Sequence, residues 1–246
     1  MDIKLLPEAA LLDKKLHIKR RLFVLCELLK ANDKVLDIGC GIGSYLTDVL
    51  GYLPIQLTAI DSDAKSIDYA KSHNKHKNIE YIIAEGELFK AEHNFDVIVC
   101  SHVLEHVKSP FGLLCNIYRL LEERGRLYLA IPNGYGCFEV ENFIPRIIGK
   151  TRIGALLIKK MMSRQVKDSF NYDSPHLNYF TFSKIKRLLS SAGFRIGKHF
   201  NEQLLGGVVT DRTLLKIGLV EKFNLSIVDK LPKFMANGWI LVCQKN

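Results

Sequence analysis

Two short stretches hold residue types that can do chemistry. The first is "SHVLEHV", Ser101–Val107, in which His102, Glu105 and His106 spell H-x-x-E-H. That spacing is the signature of one class of zinc peptidases, in which the two imidazoles hold the metal and the carboxylate acts as base. The second is "VLDIGCGIGSYL", where Gly39, Gly41 and Gly43 follow Asp37 at G-x-G-x-G spacing. Glycine lets the chain turn tightly and lets a ligand approach the main chain. A helix starting behind such a turn offers unpaired N–H groups and positive potential. Asp61 stands about 20 residues further on, where an acid hydrogen-bonds ribose hydroxyls in nucleotide-binding folds.

The elements around these stretches decide between the two chemistries. "KKLHIKRRLFVLCELLK" predicts an amphipathic helix ending near Asn32, within an N-terminal helical segment over 1–32. "KVLDIG", "IQLTAID", "IEYIIAEG", "FDVIVCS" and "RLYLAIP" predict strands. "YLTDVLGYL" and "DAKSIDYAKS" predict helices between them, the second capped by Asp63. "SPFGLLCNIYRLLEERG" predicts a helix capped by Ser109 and stopped by Gly125. Near-continuous apolar strands alternating with helices imply a doubly wound α/β sheet of the Rossmann-like kind, covered on both faces. After Pro132 the rhythm breaks. Residues 134–175 and 203–235 are expected to be cap insertions within one domain. Between them lie a helix in "SKIKRLLSSAGF", capped by Ser183 and stopped by Gly193, and a strand in "RIGKHF"; "GWILVCQ" closes as the last strand.

In this frame H-x-x-E-H begins where the fourth strand ends, at the carboxyl edge of the sheet, where ligands of open α/β folds sit. Pro110 opens a new helix four residues after His106, so the segment is a short turn. A zinc peptidase carries its histidines on a long helix and needs a third protein ligand elsewhere. No metal is expected. The glycine trio lacks the last glycine of the dinucleotide fingerprint, since position 44 is Ser44, and it has the extra acid Asp37. Both features disfavour a nicotinamide-dependent oxidoreductase.

"VLDIGCGIG" resembles motif I of the class I S-adenosylmethionine-dependent methyltransferases. "AIDSD" resembles their ribose-binding segment and "IEYIIAEGELF" the strand end that meets the adenine. "FDVIVCSHVLEHV" resembles their fourth strand and the turn after it. "HLNYFTFSKIKRLLSSAGF" is similar to a late segment of the branch that includes ubiquinone-biosynthesis O-methyltransferases and glycan or lipid methyltransferases. The resemblance covers 33–133 well, 176–200 fairly, and says little of the insertions. It implies a seven-stranded, mostly parallel sheet and a cofactor site made by Asp37, Gly39, Cys40, Gly41, Gly43, Asp61, Ser62, Glu85, Gly86, Ser101 and His102. The implied cofactor is S-adenosylmethionine and the product S-adenosylhomocysteine.

Methyl transfer from a sulfonium needs the acceptor aligned and water excluded; alignment alone supplies on the order of 7–11 kcal/mol. A general base matters only where the acceptor must lose a proton. His106 is the first candidate, because the resemblance places it near the pocket, and His176 the second; imidazole titrates near neutrality. The expected acceptor is an oxygen of a small molecule, lipid or glycan. The alternatives are an RNA or other N-methyltransferase, or a cofactor-binding protein without turnover.

Lys plus Arg is 35 against 26 acids, a net charge of +9, which favours anionic partners without choosing among them. Residues 144–167 are basic and apolar without acids, so they suit either a plain cap helix or contact with the inner face of an anionic membrane. Nucleic acid is disfavoured because no aromatic residues interleave those charges. The six cysteines form no C-x-x-C pair, and neither a signal peptide nor an apolar span is legible, so a cytoplasmic setting is expected.

Overall fold

The computed structural model describes residues 6–12, 14–136, 176–205 and 218–246. Seven strands form one sheet: β1 Lys34–Ile38, β2 Gln56–Asp61, β3 Ile79–Ile83, β4 Phe95–Ser101, β5 Leu121–Pro132, β6 Phe194–Asn201 and β7 Gly238–Lys245. Their order is β3-β2-β1-β4-β5-β7-β6. The first five run parallel, while β7 pairs antiparallel with both β5 and β6. The order reverses between β1 and β4. Ligands of open α/β sheets lie outside the carboxyl ends of the strands at such a switch point.

The described helices are α1 Glu8–Leu12, α2 Leu16–Leu28, α3 Thr47–Leu50, α4 Ala64–His73, α5 Pro110–Leu120, α6 Phe182–Ser191 and α7 Gly218–Val228. They cover both faces. Val35, Val97, Val99, Tyr128 and Ala130 pack towards Leu22, Leu25 and Ile67 of α2 and α4. Leu36, Ile98, Cys100, Leu127 and Leu129 pack towards Leu113, Ile117, Ile185 and Leu189 of α5 and α6. Alternate residues of one strand therefore enter opposite cores, which is why these strands read as unbroken apolar runs. Each Leu, Ile or Val so buried contributes roughly 1.5–3 kcal/mol relative to exposure.

The expected caps at Asp63 and Ser109 are present. Asp63 accepts from Lys65 N and Ser66 N at 3.3 and 3.2 Å, and Ser109 Oγ from Gly112 N at 3.1 Å. Three local expectations are corrected. The helix expected to reach Gly125 ends at Leu120, because fully buried Leu121 pairs with Phe95 in the sheet. The next ladder partner of β4 is Arg126 with Val97, so exposed Glu122, Glu123 and Arg124 bulge outwards between the two pairs. The cap of α6 is Thr181, whose Oγ1 accepts from Lys184 N at 3.2 Å, rather than Ser183. "YLTDVLGYL" yields only the four helical residues of α3. The stop at Gly193 holds, with φ +89°.

The second expected insertion contains α7 and a 3-10 turn over Lys233–Met235. Residues 206–217 and the basic stretch 144–167 lie outside the described residues.

Candidate active site

The glycine turn sits at the carboxyl ends of β1 and β2. Gly39, Gly41 and Gly43 have φ of +72°, +55° and +79°, a region that L side chains rarely adopt. Gly39 N and Cys40 N donate to Ile60 O at 2.8 and 3.0 Å, which ties the turn to β2. At Gly39 the packing is as demanding as the dihedral: a Cβ there would stand 2.3 Å from Val103 Cγ2, on the turn after β4. The glycine spacing thus sets the approach of two loops at the carboxyl edge of the sheet.

Asp61 closes the same turn from β2. Its Oδ2 accepts from Gly41 N at 2.8 Å and its Oδ1 from Asp63 N at 2.9 Å. Each carboxylate oxygen carries a second lone pair, which leaves capacity for ribose hydroxyls. Ser62, next to it, is exposed. Asp37 is buried at the end of β1, where Thr47 Oγ1 donates to its Oδ2 at 2.7 Å. Burial pushes its carboxyl up to about 7; the Thr47 hydroxyl opposes this and the nearby Asp61 charge adds to it. Glu85 is exposed on the turn after β3. Gly86 lies against Ile38 and Leu113, and its carbonyl accepts from Asn116 Nδ2 at 2.7 Å. The structure therefore brings Asp37, Gly39, Cys40, Gly41, Gly43, Asp61, Ser62, Glu85 and Gly86 to the ends of three neighbouring strands.

The other wall is the turn after β4, and it holds more than the sequence discloses. Ser101 ends β4. His102 has φ +57°, left-handed for a non-glycine residue. Such strain costs on the order of 1–3 kcal/mol and persists only where the surroundings over-determine it. Here the surroundings are charged. Arg21 Nη2 of α2 lies 2.6 Å from His102 Nε2, Glu202 Oε2 lies 3.6 Å from the same nitrogen, and Glu105 Oε1 lies 3.3 Å from Nδ1. Arg21 also pairs with Glu202. Burial and Arg21 press the pKa of His102 down, but the two carboxylates outweigh them and hold it above its usual value. Burial would raise Glu202, yet Arg21 and His102 keep its carboxyl well below the usual range. Glu105 is lowered in the same way, against burial, chiefly by His102.

Three partly or fully buried charged groups, Arg21, Glu105 and Glu202, are thus assembled around His102. Arg21 and Glu202 were invisible in the sequence. Arg21 reads as one of several cations on an amphipathic helix, and Glu202 as one acid after a strand. No spacing rule links positions 181 apart.

The two candidate bases also converge. His106 and His176 pack edge to face with ring centroids 4.8 Å apart, and Tyr179 lies 6.3 Å beyond His176. The chain on either side is stapled: Leu177 N and Asn178 N donate to Glu105 O at 2.8 and 3.0 Å, and Asn178 Nδ2 to Val107 O at 2.7 Å. Ligand atoms of Glu105, His106 and His176 lie within 4.8 Å of one another, so these three could hold a cation. His102–His106 is a turn, as expected, and no helix of a zinc peptidase is present there.

A family model described as a methyltransferase domain matches residues 12–199. The chain belongs to the methyltransferase-domain family. It is 31% identical over 180 residues to a ubiquinone biosynthesis O-methyltransferase of Glaesserella parasuis, a match spanning 68% of this chain and 69% of that protein. A mitochondrial ubiquinone biosynthesis O-methyltransferase of Schizosaccharomyces pombe is 35% identical over 102 residues, which is 39% of this chain but only 37% of that protein. Among solved structures, magnesium protoporphyrin IX methyltransferase from Synechocystis PCC 6803, with bound S-adenosylhomocysteine, superposes with a TM-score of 0.55 at 14% identity, over 94% of this chain and 82% of that one. This methyltransferase therefore has the Rossmann-like fold of its family, and S-adenosylmethionine is its cofactor. Among the described residues no helix is long and apolar enough to cross a membrane.

Proposed function

We propose that this methyltransferase transfers the methyl group of S-adenosylmethionine to a hydroxyl oxygen of a small aromatic or quinone-like acceptor. The acceptor oxygen attacks the methyl carbon, the carbon–sulfur bond breaks with its electron pair going to sulfur, and the hydroxyl proton leaves. The products are the methyl ether, S-adenosylhomocysteine and a proton. The observation that carries the reading is the convergence of His106, His176 and Tyr179 beside the turn after β4. It puts rings against which a flat acceptor can pack next to groups able to take or hold its hydroxyl. The likeness to the Glaesserella parasuis enzyme supports the same choice of atom.

Within this reading Asp61, Ser62, Glu85 and Gly86 face the nucleoside, Asp37 and the glycine turn with Cys40 face the methionine moiety, and Ser101 and His102 border the methyl group. A lipid-borne acceptor fits a peripheral membrane position. The test is to incubate the full chain with methyl-labelled S-adenosylmethionine and a lipid extract, then partition the product. Alkali-stable label in the organic phase is the expected result. Label confined to the aqueous phase would overturn the acceptor class.

A further inference from the structure

The three glycines of the turn face three different surroundings. A Cβ at Gly39 would meet Val103, one at Gly41 meets nothing within 4 Å, and one at Gly43 would stand 2.9 Å from Tyr81 Oη. Gly41 therefore marks the face left open for a ligand, and Gly43 the face closed by a phenol. Tyr81 lies in β3, in register with Ala59 of β2, and is only 5% exposed. Its ring belongs to the core that holds Leu46, Val49 and Leu50, yet its hydroxyl is buried without a hydrogen-bond partner among the described residues. A buried hydroxyl left unpaired is costly, and phenylalanine would fill the same space without that cost.

An acceptor stands close by along the chain. Asp48 N donates to Gly43 O at 2.9 Å, so Asp48 is one bond away from the residue that the phenol touches. Its side chain is half-buried in the first turn of α3. Burial raises its carboxyl, and what opposes this is the charge of His76, Lys14, His73 and Lys75 rather than a hydrogen bond. Asp48 is also the foremost of the charges that, after burial, hold the Tyr81 phenol above its usual range. Lys14 Nζ donates to Ser44 O, so the start of α3 is clasped between this lysine and the phenol.

We propose that Tyr81 and Asp48 are a positioning pair for the cofactor turn. The Tyr81 hydroxyl donates to the Asp48 carboxylate when S-adenosylmethionine fills the open face at Gly41. That bond fixes the start of α3 and, with it, the N–H groups that the glycine turn presents. The movement required is rotation of the half-buried Asp48 side chain inwards. A ligand shifts such an equilibrium only by its differential affinity for the two arrangements. The hydroxyl therefore contributes to cofactor affinity and adds nothing to the stability of the free chain, where it is a buried donor without an acceptor. The inference rests on S-adenosylmethionine as the cofactor and is independent of which acceptor is methylated.

The test is a double-substitution cycle on the full chain with two readouts, calorimetric titration of S-adenosylhomocysteine and urea unfolding without ligand. Tyr81→Phe should weaken binding about tenfold, the loss of a hydrogen bond to a charged group, while the urea midpoint of the free chain stays the same or rises. Asp48→Ala should weaken binding by a similar factor, and the double variant by no more than the larger single effect. Unchanged affinity in Tyr81→Phe, or a lowered urea midpoint, would overturn the role of the hydroxyl. Factors that multiply in the double variant would overturn the pairing with Asp48. No binding of S-adenosylhomocysteine by the unsubstituted chain would instead sink the cofactor, and this inference with it.

Discussion

The two sides of the candidate site are built in opposite ways. The glycine turn between β1 and α3 is local: three glycines, one acid before them and one about 20 residues later specify backbone shape and ligand approach with little outside help. The turn after β4 is assembled from distant parts. Arg21 arrives from α2, Glu202 from the end of β6 and His176 from beyond the first insertion, and they meet on a seven-residue string of ordinary appearance. Backbone conformation is coded by neighbours in sequence, whereas buried charge is balanced only by neighbours in space.

The sharpest way to break that contrast is to remove one distant partner. Glu202→Ala leaves the guanidinium of Arg21 buried without its main counter-charge. Stability should fall by about 3–5 kcal/mol in urea unfolding, the loss seen when one partner of a buried pair is deleted. A fall under about 1 kcal/mol would mean that α2 does not depend on the charged wall.

On the local wall, Gly39→Ala sets a methyl against Val103 and demands a left-handed alanine. The expected cost is roughly 2–4 kcal/mol from strain and overpacking together. S-adenosylhomocysteine binding, read by calorimetry, should weaken at least tenfold. Unchanged affinity would show that the turn and the β4 wall move independently.

Asp37 tests the same wall through pH. Its carboxyl is raised to about 7 in the folded chain, mainly by burial. Its contribution to stability is therefore complete below the unfolded carboxyl range, falls as pH rises from about 4 to 7, and is then lost. Asp37→Asn removes the ionisation and keeps an acceptor for Thr47. It should flatten this part of the stability profile, and at pH 8 the variant should exceed the parent by on the order of 2–4 kcal/mol. Parallel urea midpoints for the two chains across that pH range would contradict the burial of Asp37 as the cause.

Much of the scaffold was legible because its signals are local or periodic. Val35 to Ile38 and Val97 to Cys100 read as doubly buried strands, and Asp63, Ser109 and Gly193 punctuate helices by side-chain or backbone chemistry of their own. Where the reading slipped, a tertiary contact had outbid local propensity: Leu121 joined the sheet instead of continuing α5, since burial beside Phe95 outweighs another helical turn. The left-handed glycines and Asp61 were legible in place, for the shape of that turn is coded within it.

By itself the sequence determined the parallel α/β frame, the glycine turn and the acids that flank it, since apolar alternation and positive-φ glycines act over a few residues. Only the tertiary structure decided which cation faces which carboxylate, that His102 is pinned in a left-handed turn, and that His176 comes to rest beside His106 and Glu105. Electrostatic energy falls with distance in space and is indifferent to distance along the chain, so no local pattern can announce it.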